Sequence, residues 1–270
     1  MLIYSRRMGD AMERLISVDL KATFGFLKKP DINEGIYLTY NLLHKPGFLG
    51  ILGAIAGLAG YQQKGELPEY YQKLRSLRIA IRPLSAEKGL FEKTTLKFNN
   101  AVGYANKGEG DVPCILNITE QILIKPHFRC YLALERGSEL HNLLGTRLKN
   151  SEAEYLPYLG KNEHSLWWEN FREHEFQPFK FERDFIVNSI FMKGKEIIKD
   201  MVIRQTAGPF FMTNGEPKFA SFEELPIGFD ERLFQYQKAL FAFTNFKLPK
   251  EARIDNLYRL NNSDEIIQLF

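Results

Sequence analysis

Residues 39–63 read TYNLLHKPGFLGILGAIAGLAGYQQ, and from Pro46 onward this is the one long uncharged run of the chain. The stretch 40–61 reads as a helix opened by Pro46, whose missing N–H is no loss at a first helical position. At about 100° per residue, Phe48, Ile51, Leu52, Ile55 and Leu58 fall on one arc, and Gly50, Gly53, Gly57 and Gly60 on the opposite one. The bulky arc wants a core. The bare arc lets another backbone approach closely, at a cost in helix stability. Two readings compete for it. One is tight packing against a neighbouring element. The other is that a ligand backbone, an RNA strand or a partner subunit, passes the helix start, where His44 and Lys45 sit beside amide groups that favour phosphate. The apolar run is too short to span a bilayer, so no membrane association is expected.

The rest of the chain arranges itself around this helix. Leu15–Leu27 alternates apolar and polar residues and reads as a strand, closed by Lys28, Lys29 and Pro30. Glu69–Arg75 reads as a short helix and Leu77–Arg82 as a strand. Residues 84–125 form a long excursion: Thr94–Phe98 and Ile115–Ile124 look extended, and the Asn- and Gly-rich stretch Asn99–Pro113 between them suggests a thumb-like hairpin with a mobile tip. His127–Leu134 is a further strand. Ser138–Lys149 is a helix with Ser138 as N-cap, and Pro157–Glu169 reads as a polar and aromatic loop. The order β-α-β, insertion, β-α, β is that of a ferredoxin-like domain, whose open sheet is a common RNA platform. From Phe176 the chain shifts to short strands separated by turns, with Asn214–Gly215 a hairpin mark. The expected class is α+β: residues 1–13 a loose leader, 14–175 the ferredoxin-like domain with its thumb at about 84–125, and 176–270 a smaller β-rich subdomain.

Composition bounds the function. The chain has 270 residues, 44% of them hydrophobic, with 22 Phe and 12 Tyr, which supplies one large core or two small ones. The net charge of +3 permits nucleic-acid binding without demanding it. Cys114 and Cys130 form no CxxC pair, which suits a reducing, cytoplasmic setting. Nothing near Met1 resembles a secretory signal. There is no Walker loop, no GxGxxG after a strand, no GxSxG and no HExxH. The five histidines, His44, His127, His141, His164 and His174, have no metal-ligand spacing, so neither metal nor cofactor is expected.

The basic residues do cluster. Lys73, Arg75, Arg78 and Arg82 run with no acid between the first and last of them, and this reads equally as a wet face or a phosphate-facing one. Lys93, Lys97, Lys107, Lys125 and Arg129 decorate the thumb and the strand after it, interleaved with Phe98, Asn99, Tyr104 and Phe128. Lysines grip phosphates, rings stack on unpaired bases and Asn reads base edges. An ordinary edge hairpin has the same mixture.

Four stretches carry a resemblance: TYNLLHKPGFLGILGAIAGLAGY, LKFNNAVGYANK, ILIKPHFRCYLAL and YLGKNEHSLWWENF. They resemble the Cas-five family of CRISPR-associated proteins, closest to its type I-B members, from about Leu15 to the C-terminus. The resemblance implies a ferredoxin-like (RAMP-type) domain with a thumb and a β-rich C-terminal part. It implies a non-catalytic subunit of a Cascade complex that holds the 5′ handle of the crRNA, caps the backbone filament and docks the large subunit. Contact with target DNA near the protospacer-adjacent motif is left open. Carried over by motif, the RNA-binding residues would be Lys45, Lys97, Asn99, Tyr104, Lys125, His127, Arg129, Lys161, Asn162 and His164. Trp167 and Trp168 would stack on a base or pack on the large subunit. Two alternatives stand beside this. Some relatives cleave precursor repeat RNA without metal, and Tyr40 or Tyr37, His44, Lys125 and His127 could form such a site. A protein-only scaffold would use the glycine helix and the tryptophans as its interface.

Overall fold

The computed structural model describes residues 13–31, 35–86, 88–100, 116–193 and 218–270. Residues 1–12 of the expected leader, Tyr104, Cys114, the thumb tip and the Asn214–Gly215 hairpin mark lie outside the described residues, whereas Glu13 opens β1.

The main sheet holds four strands: β1 (Glu13–Ala22), β3 (Arg78–Pro83), β6 (His127–Glu135) and β7 (Leu166–His174). They run in the order β3-β6-β1-β7, with all neighbours antiparallel. Helix α1 (Lys45–Ala56) joins β1 to β3, and α3 (Glu139–Asn150) joins β6 to β7. That is the expected ferredoxin-like order in an α+β fold. Strand alternation sets the faces. Ile16, Val18 and Leu20 of β1 meet Cys130, Leu132 and Leu134 of β6 in the core under the helices. Leu15, Tyr131 and Ala133 point to the other face.

The long uncharged stretch is helical only in its middle. The imidazole Nδ1 of His44 caps the start by accepting the N–H of Gly47 at 3.1 Å. Gly57 ends the helix in the left-handed region at φ 77°, so Gly60 lies past it. The glycine face is split between packing and open space. A Cβ on Gly53 would meet Tyr70 Cβ at 2.4 Å, so α2 (Glu69–Leu74) rests directly on the α1 backbone there. At Gly50 the nearest atom would be 3.8 Å away.

The expected strand Leu15–Leu27 breaks at Thr23. Its remainder, β2 (Phe24–Gly25), leaves the main sheet and pairs with β5 (Leu116–Ile124), which pairs in turn with β4 (Lys93–Asn100). This three-stranded sheet is the described part of the thumb. The expected loop 157–169 ends sooner than its composition suggests. From Leu166 it is β7, drawn into register by β1, with Trp168 opposite Leu20 and Trp167 opposite Lys21.

The C-terminal third is less regular than expected between residues 179 and 190. Its described strands are β8 (Phe176–Pro178), β9 (Phe191–Met192), β10 (Ala220–Phe229) and β11 (Tyr236–Thr244), followed by a hairpin of two strands, β12 (Leu257–Leu260) and β13 (Ile266–Gln268). A single strand with a tail is the expectation for that last segment. Leu225 and Phe241 enter the same core as α1. The β12–β13 hairpin covers part of the outer face of the main sheet around Tyr131. Glu223 of β10 accepts the N–H groups of Asn41 and Leu42 at 3.0 Å each, fixing the chain just before α1.

Candidate nucleic-acid interface

The residues expected to contact RNA fall in three places. The first is the thumb. Lys97 and Asn99 are two apart on β4, share its exposed face and lie opposite Thr119 and Asn117. Asn99 Nδ2 is 3.4 Å from Asn117 Oδ1. Phe98 points the other way, under the ammonium of Lys161 at 4.7 Å from its ring centre. Lys161 also pairs with Glu120 at 2.9 Å and Glu163 at 2.8 Å, and the Glu120 side chain is only 6% exposed. Lys161 is therefore a strut between the loop 157–165 and the thumb. Within the same loop Asn162 is exposed and His164 is buried. Neither ring nitrogen of His164 has a hydrogen-bond partner among the described residues. Burial holds its pKa below the ordinary histidine value. Gly160 brings the loop against the backbone just after β2, at φ 89° with Phe26 O where a Cβ would stand.

The second place is the outer face of the main sheet. Lys125 is exposed at the turn from β5 to β6, with φ 46°. His127 follows, its Nδ1 3.3 Å from Ser85 Oγ. Arg129 clasps Asp19 with Nε and Nη2, and Asn170 Nδ2 donates to the same carboxylate at 3.0 Å. These bonds hold the Asp19 carboxyl below its ordinary pKa although burial opposes it, and the Asp19 carboxylate raises Arg129. Trp167 is half-exposed beside them. Trp168 packs on the core side, with its Nε1 donating to Leu148 O at 2.8 Å.

The third place is the start of α1. Lys45 is half-buried and donates to the carbonyl of Phe270 at 3.1 Å; burial draws its pKa down to about 8. Lys45, Arg129 and Lys161, three of the expected RNA-facing cations, are thus already engaged within the fold. The Lys73–Arg82 cluster behaves likewise. Lys73 pairs with Glu69, Arg75 with Glu231, Arg78 with Glu13 and Arg82 with Glu265. It is a set of matched pairs, not a free basic face.

Sequence reasoning passed over Lys28. It is exposed, sits 3.9 Å from the centre of the Tyr37 ring, and lines a cavity of about 420 Å³ with Lys161, His44 and Glu120. The run Lys28–Lys29–Pro30 was its only signal, and it reads equally as a strand end.

The residues of the cleavage alternative are divided. Tyr40 and His44 are ring neighbours at 5.3 Å, whereas Lys125 lines a different cavity with Ser85 and Leu90. His44 is neutral, since burial lowers its pKa to about 3, and its Nδ1 is taken by the helix cap. Among the described residues no group of three or more His, Cys, Asp or Glu side chains could hold a metal. No helix among them is long and apolar enough to cross a membrane.

No protein-family model matches the chain, and no curated protein matches it either. Solved structures resemble it at low identity. A chain of a "CRISPR RNA-guided surveillance complex" is 12% identical, with a TM-score of 0.47 over 88% of this chain and 91% of that one. A CRISPR protein from Archaeoglobus fulgidus is 12% identical, with a TM-score of 0.44 over 94% and 97%. A chain of the Type III-B Cmr-beta complex bound to cognate target RNA and AMPPnP is 9% identical, with a TM-score of 0.49 over 94% and 98%.

Proposed function

We propose that this chain is a non-catalytic, cytoplasmic crRNA-binding subunit of a type I-B-like Cascade complex. It holds the single-stranded 5′ handle, caps the backbone filament and docks the large subunit. The observation that carries the reading is the exposed pair Lys97 and Asn99 on one face of the thumb, on a strand whose opposite face is anchored through Phe98. A cation and an amide two residues apart on a paired strand can grip a phosphate and meet an unpaired base edge together. Lys125 at the adjoining turn and Lys28 at the thumb base add exposed cations, neither of them in a salt bridge among the described residues. The four motif stretches supply the family reading.

RNA with a uniform 5′ end should co-purify with the chain and its neighbouring subunits. Incubation of the purified chain with repeat RNA in EDTA should leave the RNA intact. A clean cut, lost in His44→Ala or His127→Ala, would establish the enzymatic alternative instead. Handle RNA found against another subunit, with the thumb bare, would end the handle reading.

A further inference from the structure

A groove of about 540 Å³ runs along α1 between the helix, the loop 155–160 and β11. Its floor at Gly47 and Gly50 is backbone, and Tyr70, Tyr155, Leu156 and Tyr236 are among its walls. None of its described lining residues carries a charged side chain. Its outer rim is apolar and open to solvent: Leu156 is 73% exposed, Tyr155 57% and Tyr158 44%. The rim is held in place by hydrogen bonds. The N–H groups of Glu154 and Tyr155 bond the carbonyls of Ile55 and Ala54 in the last turn of α1, and Leu166 N–H bonds Pro157 O.

We infer that this groove is a socket for a segment of a neighbouring protein subunit that presents bulky, uncharged side chains. The inference rests on the reading of the chain as a subunit of an assembly. Charge selects the occupant. An RNA strand brings one negative charge per nucleotide and needs cations along its path. Among the described residues the groove itself is lined by no cation: Lys28 and Lys161 line the adjoining cavity, Lys161 is already matched by two carboxylates, Lys45 at the helix start is turned to the carbonyl of Phe270, and Arg147 is paired with Glu154. Cores of protein–protein interfaces are depleted of charge and enriched in tyrosine, and their strongest contacts are large side chains seated in water-free pockets. An exposed Leu156 flanked in its loop by the exposed Tyr155 and Tyr158 fits that pattern.

The test places a benzophenone amino acid at position 156 of the full-length chain, co-expressed with the other subunits of its complex. Glu173, exposed on β7, is the control position. The expected product is a crosslink to a different subunit that survives ribonuclease, maps to a bulky uncharged residue and is absent from position 173. A crosslink to RNA or to a second copy of this chain overturns the inference, as does no crosslink above the control. In a second arm, Leu156→Lys should lower co-purification of that subunit about tenfold, a loss of about 1.4 kcal/mol. Its thermal midpoint and its affinity for handle RNA should be those of the parent chain. Unchanged co-purification overturns the socket. If instead neither the parent chain nor the variant binds handle RNA while the subunit still depends on Leu156, the handle reading fails and the socket stands.

Discussion

Arg129 and Asp19 face each other across β6 and β1 and close a two-point clasp, Nε to Oδ1 at 2.7 Å and Nη2 to Oδ2 at 2.9 Å. The Asp19 side chain is 2% exposed. Removing the guanidinium would leave that carboxylate in the sheet with, among the described residues, only Asn170 as side-chain donor. Breaking a buried pair from one side is costly, and Arg129→Ala should destabilise the chain by about 3 kcal/mol. Urea unfolding checks this. A loss of RNA affinity in Arg129→Ala then reports on folding, and RNA contact there is tested only in a variant of unchanged stability.

Lys97 and Lys161 should separate cleanly. Lys97→Ala should leave stability within about 0.5 kcal/mol, as for an exposed substitution. It should also flatten the slope of log affinity for single-stranded RNA against log salt by about 0.7. Lys161→Met should cost about 2 kcal/mol by leaving Glu120 unpaired, somewhat less than a fully buried pair because Lys161 keeps some solvent contact. Binding at two salt concentrations, read beside urea midpoints, checks both. Equal stability losses in the two variants would contradict the assignment of Lys161 as strut and Lys97 as ligand contact.

The two faces of the glycine stripe should respond with opposite signs. Gly53→Ala drives a methyl into Tyr70 Cβ, which α2 cannot yield without shifting. It should destabilise by about 1–3 kcal/mol. Gly50→Ala meets nothing closer than 3.8 Å and gains the helix preference of alanine over glycine, about 0.5–1 kcal/mol. Thermal midpoints of the two variants measure the difference.

Stability should fall as the solution is acidified below pH 6.5. Burial lowers the pKa of all five histidines, His44 to about 3. A depressed folded pKa means that the unfolded chain takes up the proton first. The stabilisation is complete above 6.5, the unfolded value, and drains as pH falls toward the folded one. Each histidine fully inside its window contributes a slope of about 1.4 kcal/mol per pH unit. Asn is a good helix cap, so His44→Asn should keep α1 and remove about one proton's share of that slope. Urea midpoints between pH 7.5 and 5 check it, and an unchanged slope would show that His44 is protonated in the folded chain.

The sequence by itself determined the β-α-β, insertion, β-α order of the first half, the apolar arc of α1, the cap at Ser138 and the strand pair of the thumb. Each depends on local periodicity or on a capping chemistry that acts within a few residues. It placed the start of α1 at Pro46, one residue inside the observed start at Lys45, because a side chain and a missing N–H are local facts. It could not set the end, because Gly57 stops the helix only through a left-handed conformation. The same limit hid β7: Trp167 and Trp168 are strand residues because β1 offers them a ladder, not because of their own preference.

Only the tertiary structure decided which charges are free. Lys97 and Lys161 are alike in the sequence, each a lysine beside an asparagine or a phenylalanine. One stands in water and the other sits between two carboxylates, one from its own loop and one from the thumb. Ion pairing of that kind joins residues 41 positions apart for Lys161 and 110 apart for Arg129. It is set by how sheets and loops pack, and no local pattern encodes it.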